Sequence, residues 1–183
     1  SGIGLGIAQE MIQLGARVVI TGRSADKLEK AQKALGKNCF FYAHDVTDKA
    51  HHHELVEDIE NHIGPVSILV NNAGRQIKKP SVDISDAEFD EVIDTNLSAV
   101  FALTREVLKY MLPRRKGAVI FISSMTAFYG LPQVAAYSAS KSALFGLVRT
   151  LTVEYAHTGI RFNAIAPGFI ESKMMLAAME KDP

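Results

Sequence analysis

The sequence holds a single cysteine, no surplus of either charge, and no apolar run long enough to cross a bilayer. One thiol, Cys39, excludes an intrachain disulfide and suits a reducing compartment. Lys and Arg number 20, as do Asp and Glu, so the basic excess that attracts phosphate backbones is missing and nucleic acid is not an expected partner. A membrane-spanning helix needs about 20 apolar residues; no segment approaches that, and no secretory leader is recognisable at the start. The expected location is cytoplasmic. Repeats, low-complexity tracts and linker-like stretches are also missing, so no domain boundary is marked. A chain of 183 residues is enough for one domain with a sizeable core.

What is present is an alternation of apolar, β-rich runs with longer amphipathic segments. Strands are predicted at 17–21, 38–43, 67–71, 118–123 and 161–166, mostly as unbroken apolar runs of the kind that helices cover on both faces. Helices are predicted at 4–14, 25–35, 49–62, 87–115 (with a break near Asn96) and 135–157. Gly15, Gly36 and Gly64 follow the first three helices where a left-handed residue is favoured, and Asp48 and Asp86 are the expected caps of the third and fourth. The expected fold is α/β, a doubly wound parallel sheet with helices on both faces, in a single domain over residues 1–183. Ser1 opens directly in a glycine-rich turn with no strand before it, and nothing closes the sheet after the last strand. The chain is therefore expected to be a piece of a longer protein, without the fold's first and last strands.

The turn Ser1-Gly2-Ile3-Gly4 leads straight into a helix. Glycines let a backbone approach a pyrophosphate closely, and a helix start offers free N–H groups and a positive dipole end. The next strand ends Ile20-Thr21-Gly22-Arg23-Ser24, without the carboxylate that grips adenosine ribose hydroxyls and with a guanidinium suited to a 2′-phosphate. That points to NADP(H) in preference to NAD(H).

Tyr137 and Lys141 stand four apart in a helical segment, so both side chains lie on one face. An ammonium beside a phenol favours the phenolate and makes a tyrosine usable as acid or base nearer neutral pH. Ser124 lies just past a predicted strand end, where open α/β sheets bind ligands. The run Tyr137-Ser138-Ala139-Ser140-Lys141 is accompanied by Asn71-Asn72-Ala73-Gly74, Asp45-Val46, Asn96 in the middle helix, and Pro167-Gly168 with Ile170 and Ser172. In these motifs and their order the chain resembles the short-chain dehydrogenase/reductase family over essentially its whole length.

The resemblance implies a Rossmann-type NAD(P)-binding domain and an oxidoreductase that moves a hydride between cofactor and a carbonyl or secondary alcohol. By it, Tyr137 exchanges a proton with the substrate oxygen. Lys141 lowers the tyrosine pKa and holds the nicotinamide ribose, Ser124 hydrogen-bonds the carbonyl oxygen, and Asn96 anchors a water relay to Lys141. Cofactor contacts fall to Ser1, Gly2, Ile3, Gly4, Arg23, Asp45 and Val46 (the last two at the adenine), and to Asn72, Ala73 and Gly74. Pro167, Gly168 and Ile170 position the carboxamide, with Ser172 where threonine is commoner. The segments 87–115 and 135–157 are expected to pack between subunits of a homo-oligomer, a dimer or tetramer. The stretch Met125 to Tyr129 and the basic loop are most similar to sugar-acid dehydrogenases of the gluconate type. A 3-oxoacyl-thioester reductase is the alternative, and a nonenzymatic NADP-sensing module is the alternative of another class.

Other signals carry less. Consecutive helical residues point roughly 100° apart, so His51, His52 and His53 cannot converge on one ion; a solvated first turn is expected, and no metal. Arg114, Arg115 and Lys116 suit a helix end. Arg75, Lys78 and Lys79 are expected near the site's mouth, either as ordinary surface charges or as attractors of an acidic substrate. Cys39 is expected to be an inert packed thiol. Met174, Met175, Leu176 and Met179 read equally as a substrate lid or as core packing.

Overall fold

The computed structural model describes residues 2–170. The chain divides into two compact units, one built on the residues up to Asp45 and the other on Val46–Gly168. In the first, helix α1 (Gly2–Gln13), strand β1 (Val18–Gly22), helix α2 (Ala25–Leu35) and strand β2 (Cys39–Ala43) follow one another. The strands pair in parallel, Val18 opposite Cys39 through Gly22 opposite Ala43. Local chemistry sets the boundaries. Gly15 and Gly36 take φ of 90° and 87° after their helices, a region open to glycine and costly to other residues. Ser24 caps α2 by accepting from the Lys27 N–H at 3.4 Å. Cys39 is 1% exposed, and burial raises its thiol pKa, as an inert packed thiol requires.

The second unit runs α3 (His52–His62), β3 (Ile68–Asn71), α4 (Asp86–Ile93), a π-helical turn (Asp94–Ser98), α5 (Ala99–Arg114), β4 (Gly117–Ile122), α6 (Ala135–Tyr155) and β5 (Ile160–Ile165). Its sheet has the order β3-β4-β5, all parallel. β4 is hydrogen-bonded on both sides and buried along nearly its whole length, which its sequence GAVIFI makes favourable. Val119 and Phe121 of β4 meet Val107, Leu108 and Met111 of α5, Leu144 and Leu151 of α6, and Ile160 and Phe162 of β5 in one core. Arg114 ends α5 with two bonds to Glu60 (2.5 and 2.9 Å) and one to the Val66 carbonyl (3.1 Å). The basic helix end thus ties α5 to the end of α3.

Three local expectations are corrected. Asp48 does not cap the third helix: a 3-10 turn at Lys49–His51 precedes α3, and the Asp48 carboxylate pairs with His51 Nδ1 at 2.8 Å. Asp86 does not cap the fourth; Ser85 does, in a reciprocal box with Glu88, because a hydroxyl one residue earlier can bond the third N–H while Glu88 reaches back. Nor are all three consecutive histidines solvated, since His52 is 0% exposed.

Gly159 joins α6 to β5 at φ 80°, and a Cβ there would lie 2.5 Å from the Arg115 carbonyl oxygen. Gly159→Ala combines a left-handed backbone with a backbone clash and should cost about 2 kcal/mol or more. Urea unfolding at constant m-value should show the midpoint falling accordingly.

Candidate active site

In the second unit the C-terminal ends of three parallel strands converge, the position where open α/β sheets bind ligands. Ser123 N donates to Ile165 O (2.7 Å) and Met125 N to Pro167 O (2.9 Å), which locks the segment carrying Ser124 to the segment after β5. Beside them β3 ends in the buried Asn71, whose amide donates to Thr104 Oγ1 at 3.0 Å, and continues into Asn72-Ala73-Gly74.

The first turns of α6 deliver Tyr137 and Lys141 to these strand ends. Lys141 is 3% exposed; its Nζ donates to the Ile122 carbonyl at 2.7 Å, and its own carbonyl accepts from Ser123 Oγ at 2.9 Å. Burial drives its ammonium down to about 8, because a cation without water favours its neutral form. The Ser124 hydroxyl, which accepts from Thr126 N at 3.2 Å, lies close enough to the Tyr137 phenol to lower its pKa. Burial raises the phenol's pKa and Ser124 offsets part of that rise, a net shift opposite to the lowering by Lys141 expected from the sequence. The Lys141 Nζ lies 5.7 Å from the Tyr137 ring centroid.

Asn96 explains the break in the long helical pattern. It sits in the π turn between α4 and α5 and is 0% exposed. Its Oδ1 accepts from Arg75 N (2.7 Å), while its Nδ2 donates to Arg75 O (2.9 Å) and Ser140 Oγ (3.0 Å). Ser140 Oγ in turn donates to the Tyr137 carbonyl at 2.7 Å. Ser140 therefore joins Asn96 to the tyrosine's own turn. In the sequence it stands only as one member of the motif, since a small residue in a helix gives no signal of such a role.

These residues fit a nicotinamide dinucleotide. A Cβ on Gly74 would touch Lys141 Nζ at 3.4 Å and Asn96 Oδ1 at 3.5 Å, so the glycine keeps open a cradle lined by the polar groups that would meet a ribose. In the first unit, α1 begins at Gly2 with φ 59° and no acidic residue in its first turn, which suits a phosphate. Arg23 follows β1, is exposed, and pairs with no carboxylate among the described residues. Asp45 and Val46 follow β2, Gly168 and Ile170 are exposed, and Ser1 and Ser172 lie outside the described residues, as do Met174, Met175, Leu176 and Met179.

The basic loop is already engaged. Arg75 Nη1 lies 2.8 Å from Glu91, Lys79 pairs with Glu88, and Lys78 is not without an interaction. Glu88 is lowered to about 2, chiefly by its bond to Lys79. Among the described residues no group of three His, Cys, Asp or Glu could hold a metal ion, and no helix is long and apolar enough to cross a membrane.

The sequence profile of the short chain dehydrogenase family matches residues 1–183. Similar proteins include the 3-oxoacyl-[acyl-carrier-protein] reductase FabG of Rickettsia prowazekii, 39% identical over 181 residues, covering 99% of this chain and 73% of that protein. Gluconate 5-dehydrogenase of Gluconobacter oxydans is 35% identical over 176 residues, covering 94% and 69%. Among solved structures, a tryptophan variant of actinorhodin polyketide ketoreductase with NADPH superposes with TM-score 0.95 at 36% identity, covering 99% of this chain and 71% of that one. A gluconate 5-dehydrogenase from Burkholderia cenocepacia in complex with NADP and tartrate gives TM-score 0.90 at 29% identity, covering 98% and 72%. The chain belongs to the short-chain dehydrogenase/reductase family. It is a Rossmann-fold oxidoreductase that uses a nicotinamide cofactor on alcohol and ketone groups.

The depressed Lys141 pKa has a thermodynamic consequence. The unfolded chain binds this proton up to about pH 10.5 and the folded chain only to about 8, so folding stability rises with pH between those values. Relative to Lys141→Met, which lacks the titration, the wild type should gain roughly 3 kcal/mol between pH 7.5 and 10.5. Parallel urea titrations of the two proteins at each pH measure that difference.

Proposed function

We propose that this chain carries the catalytic site of an NADP(H)-dependent reductase or dehydrogenase, with Tyr137 as general acid and base. The observation that carries the reading is the buried Lys141, held on the Ile122 carbonyl one helical turn after Tyr137, with Gly74 and Asn96 beside its Nζ. When bound, NADP(H) supplies or accepts the hydride at the substrate carbon. In reduction, Ser124 holds the carbonyl oxygen and Tyr137 delivers its proton to that oxygen; in oxidation it takes the proton back. Lys141, anchored on the Ile122 carbonyl, stabilises the phenolate and holds the nicotinamide ribose hydroxyls. Asn96, fixed by Arg75 and Ser140, anchors the water relay that reprotonates through Lys141. Gly2, Ile3 and Gly4, with Ser1, hold the pyrophosphate, and Asp45 and Val46 meet the adenine. Asn72, Ala73 and Gly74 line the cofactor, and Pro167, Gly168, Ile170 and Ser172 orient its carboxamide.

The choice of NADP rests on Arg23, whose guanidinium stands exposed after β1 with the planar fork that suits a 2′-phosphate. For the substrate, a sugar acid or polyol is the first reading, as in the gluconate-type relatives. A 3-oxoacyl thioester is the second, and two observations favour it. Arg75 and Lys79 already hold Glu91 and Glu88, and the stretch after Ser124 exposes Phe128, Tyr129 and Leu131, which suits an acyl chain better than a polyol. The working form is a cytoplasmic homo-oligomer, dimer or tetramer, with Phe101 on α5 and Val153 on α6 exposed for partner contact.

Two experiments on the full-length protein test this. Tyr137→Phe should lower turnover about a thousandfold on whichever of a sugar-acid and a 3-oxoacyl-thioester panel the wild type accepts, read by absorbance of the reduced nicotinamide. Undiminished turnover removes Tyr137 from the chemistry. Arg23→Ala should raise KM for NADPH about tenfold or more and leave NADH within roughly twofold; equal effects on both dismiss the 2′-phosphate contact.

A further inference from the structure

His51 and His53 are exposed, whereas His52 between them is 0% exposed on the face of α3 that also buries Leu55, Val56 and Ile59. An apolar side chain is what the spacing 52, 55, 56, 59 calls for. An imidazole there has given up its water and is tolerated because it is hydrogen-bonded. Its Nε2 lies 2.9 Å from the Val46 carbonyl oxygen. A carbonyl only accepts, so Nε2 carries the proton and donates.

Val46 is placed where this bond matters. β1 and β2 end together, Gly22 opposite Ala43, with His44 N donating to Gly22 O at 2.9 Å. Asp45 and Val46 follow at the C-terminal end of that pair, the end at which parallel strands present ligand contacts. The bond to its carbonyl restrains the Val46 backbone, in the residue that directly follows Asp45. Leucine or isoleucine at position 52 would fill the stripe equally well and leave that carbonyl without this donor. We infer that His52 is a positioning residue for the adenosine end of the cofactor, acting through the Val46 carbonyl and touching no ligand itself. The inference rests on the cofactor reading above, in which Asp45 and Val46 meet the adenine.

The probe is 2′,5′-ADP, which carries the adenosine half and the 2′-phosphate but no nicotinamide, titrated calorimetrically into the full-length protein. His52→Leu removes the donor and keeps the bulk; His52→Gln restores an amide N–H near the Nε2 position. His52→Leu should weaken 2′,5′-ADP roughly tenfold, the loss expected for one hydrogen bond, and should raise KM for NADPH more than it lowers kcat. His52→Gln should recover most of the affinity. His52→Met carries the same expectation as the leucine variant, so misfolding of one does not end the test. Wild-type affinity in the folded apolar variants overturns the inference, as does an equal loss in the glutamine variant, which would make the role one of packing. A wild-type protein that binds NADPH but not 2′,5′-ADP would overturn the adenine assignment itself, and with it the role of His52.

Discussion

The site is organised by an ammonium that has been taken out of water. Lys141 sits 3% exposed on the Ile122 carbonyl, and a buried cation is tolerable only where fixed acceptors surround it. That requirement decides much of the neighbourhood. The end of β4 must present a carbonyl toward α6, the glycine at 74 must leave room next to Nζ, and α6 must be held in register, which the Ser123–Lys141 and Ser140–Tyr137 bonds accomplish. The tyrosine inherits its position from the same helix turn.

Much of this was legible in the sequence because it depends on local rules. Strand and helix limits fall within one or two residues of expectation wherever an apolar run or a glycine in the left-handed region sets them, as at Gly15, Gly36 and Gly64. The caps were less legible, because Ser85 and Asp86 are both good capping residues and only the reach of Glu88 decides between them. The histidine triplet divides by helix phase: position 52 falls in the apolar stripe, a periodicity visible in the sequence once the helix start is known to within a residue. The engagement of Arg75 and Lys79 by Glu91 and Glu88 was not legible, since each pair spans a loop whose path no local rule sets.

The Tyr137–Lys141 motif was readable residue by residue, whereas the partners that hold it were not. Asn96 is named by the family resemblance alone, and its geometry shows more: one amide binds both backbone groups of Arg75 and also Ser140. A side chain so fully committed is rigid, which is what positioning within a fraction of an ångström demands. The exposed aromatic stretch after Ser124 is where a shared scaffold can acquire a different substrate.

The π turn at Asp94–Ser98 is one residue more than a regular helix needs between Asp86 and Arg114. Removing a single residue there would let the backbone wind as an uninterrupted α-helix, with better local hydrogen-bond geometry than the π form provides. It would also withdraw the bulge that carries Asn96 to Arg75 and Ser140, while the flanking turns kept their faces, because a π turn absorbs its extra residue locally. The two halves of this helix therefore keep a common face, and the surplus residue is what sets one amide apart from it. In a comparison of chain lengths it would register as an insertion to be discarded, although it is what gives a buried amide its place.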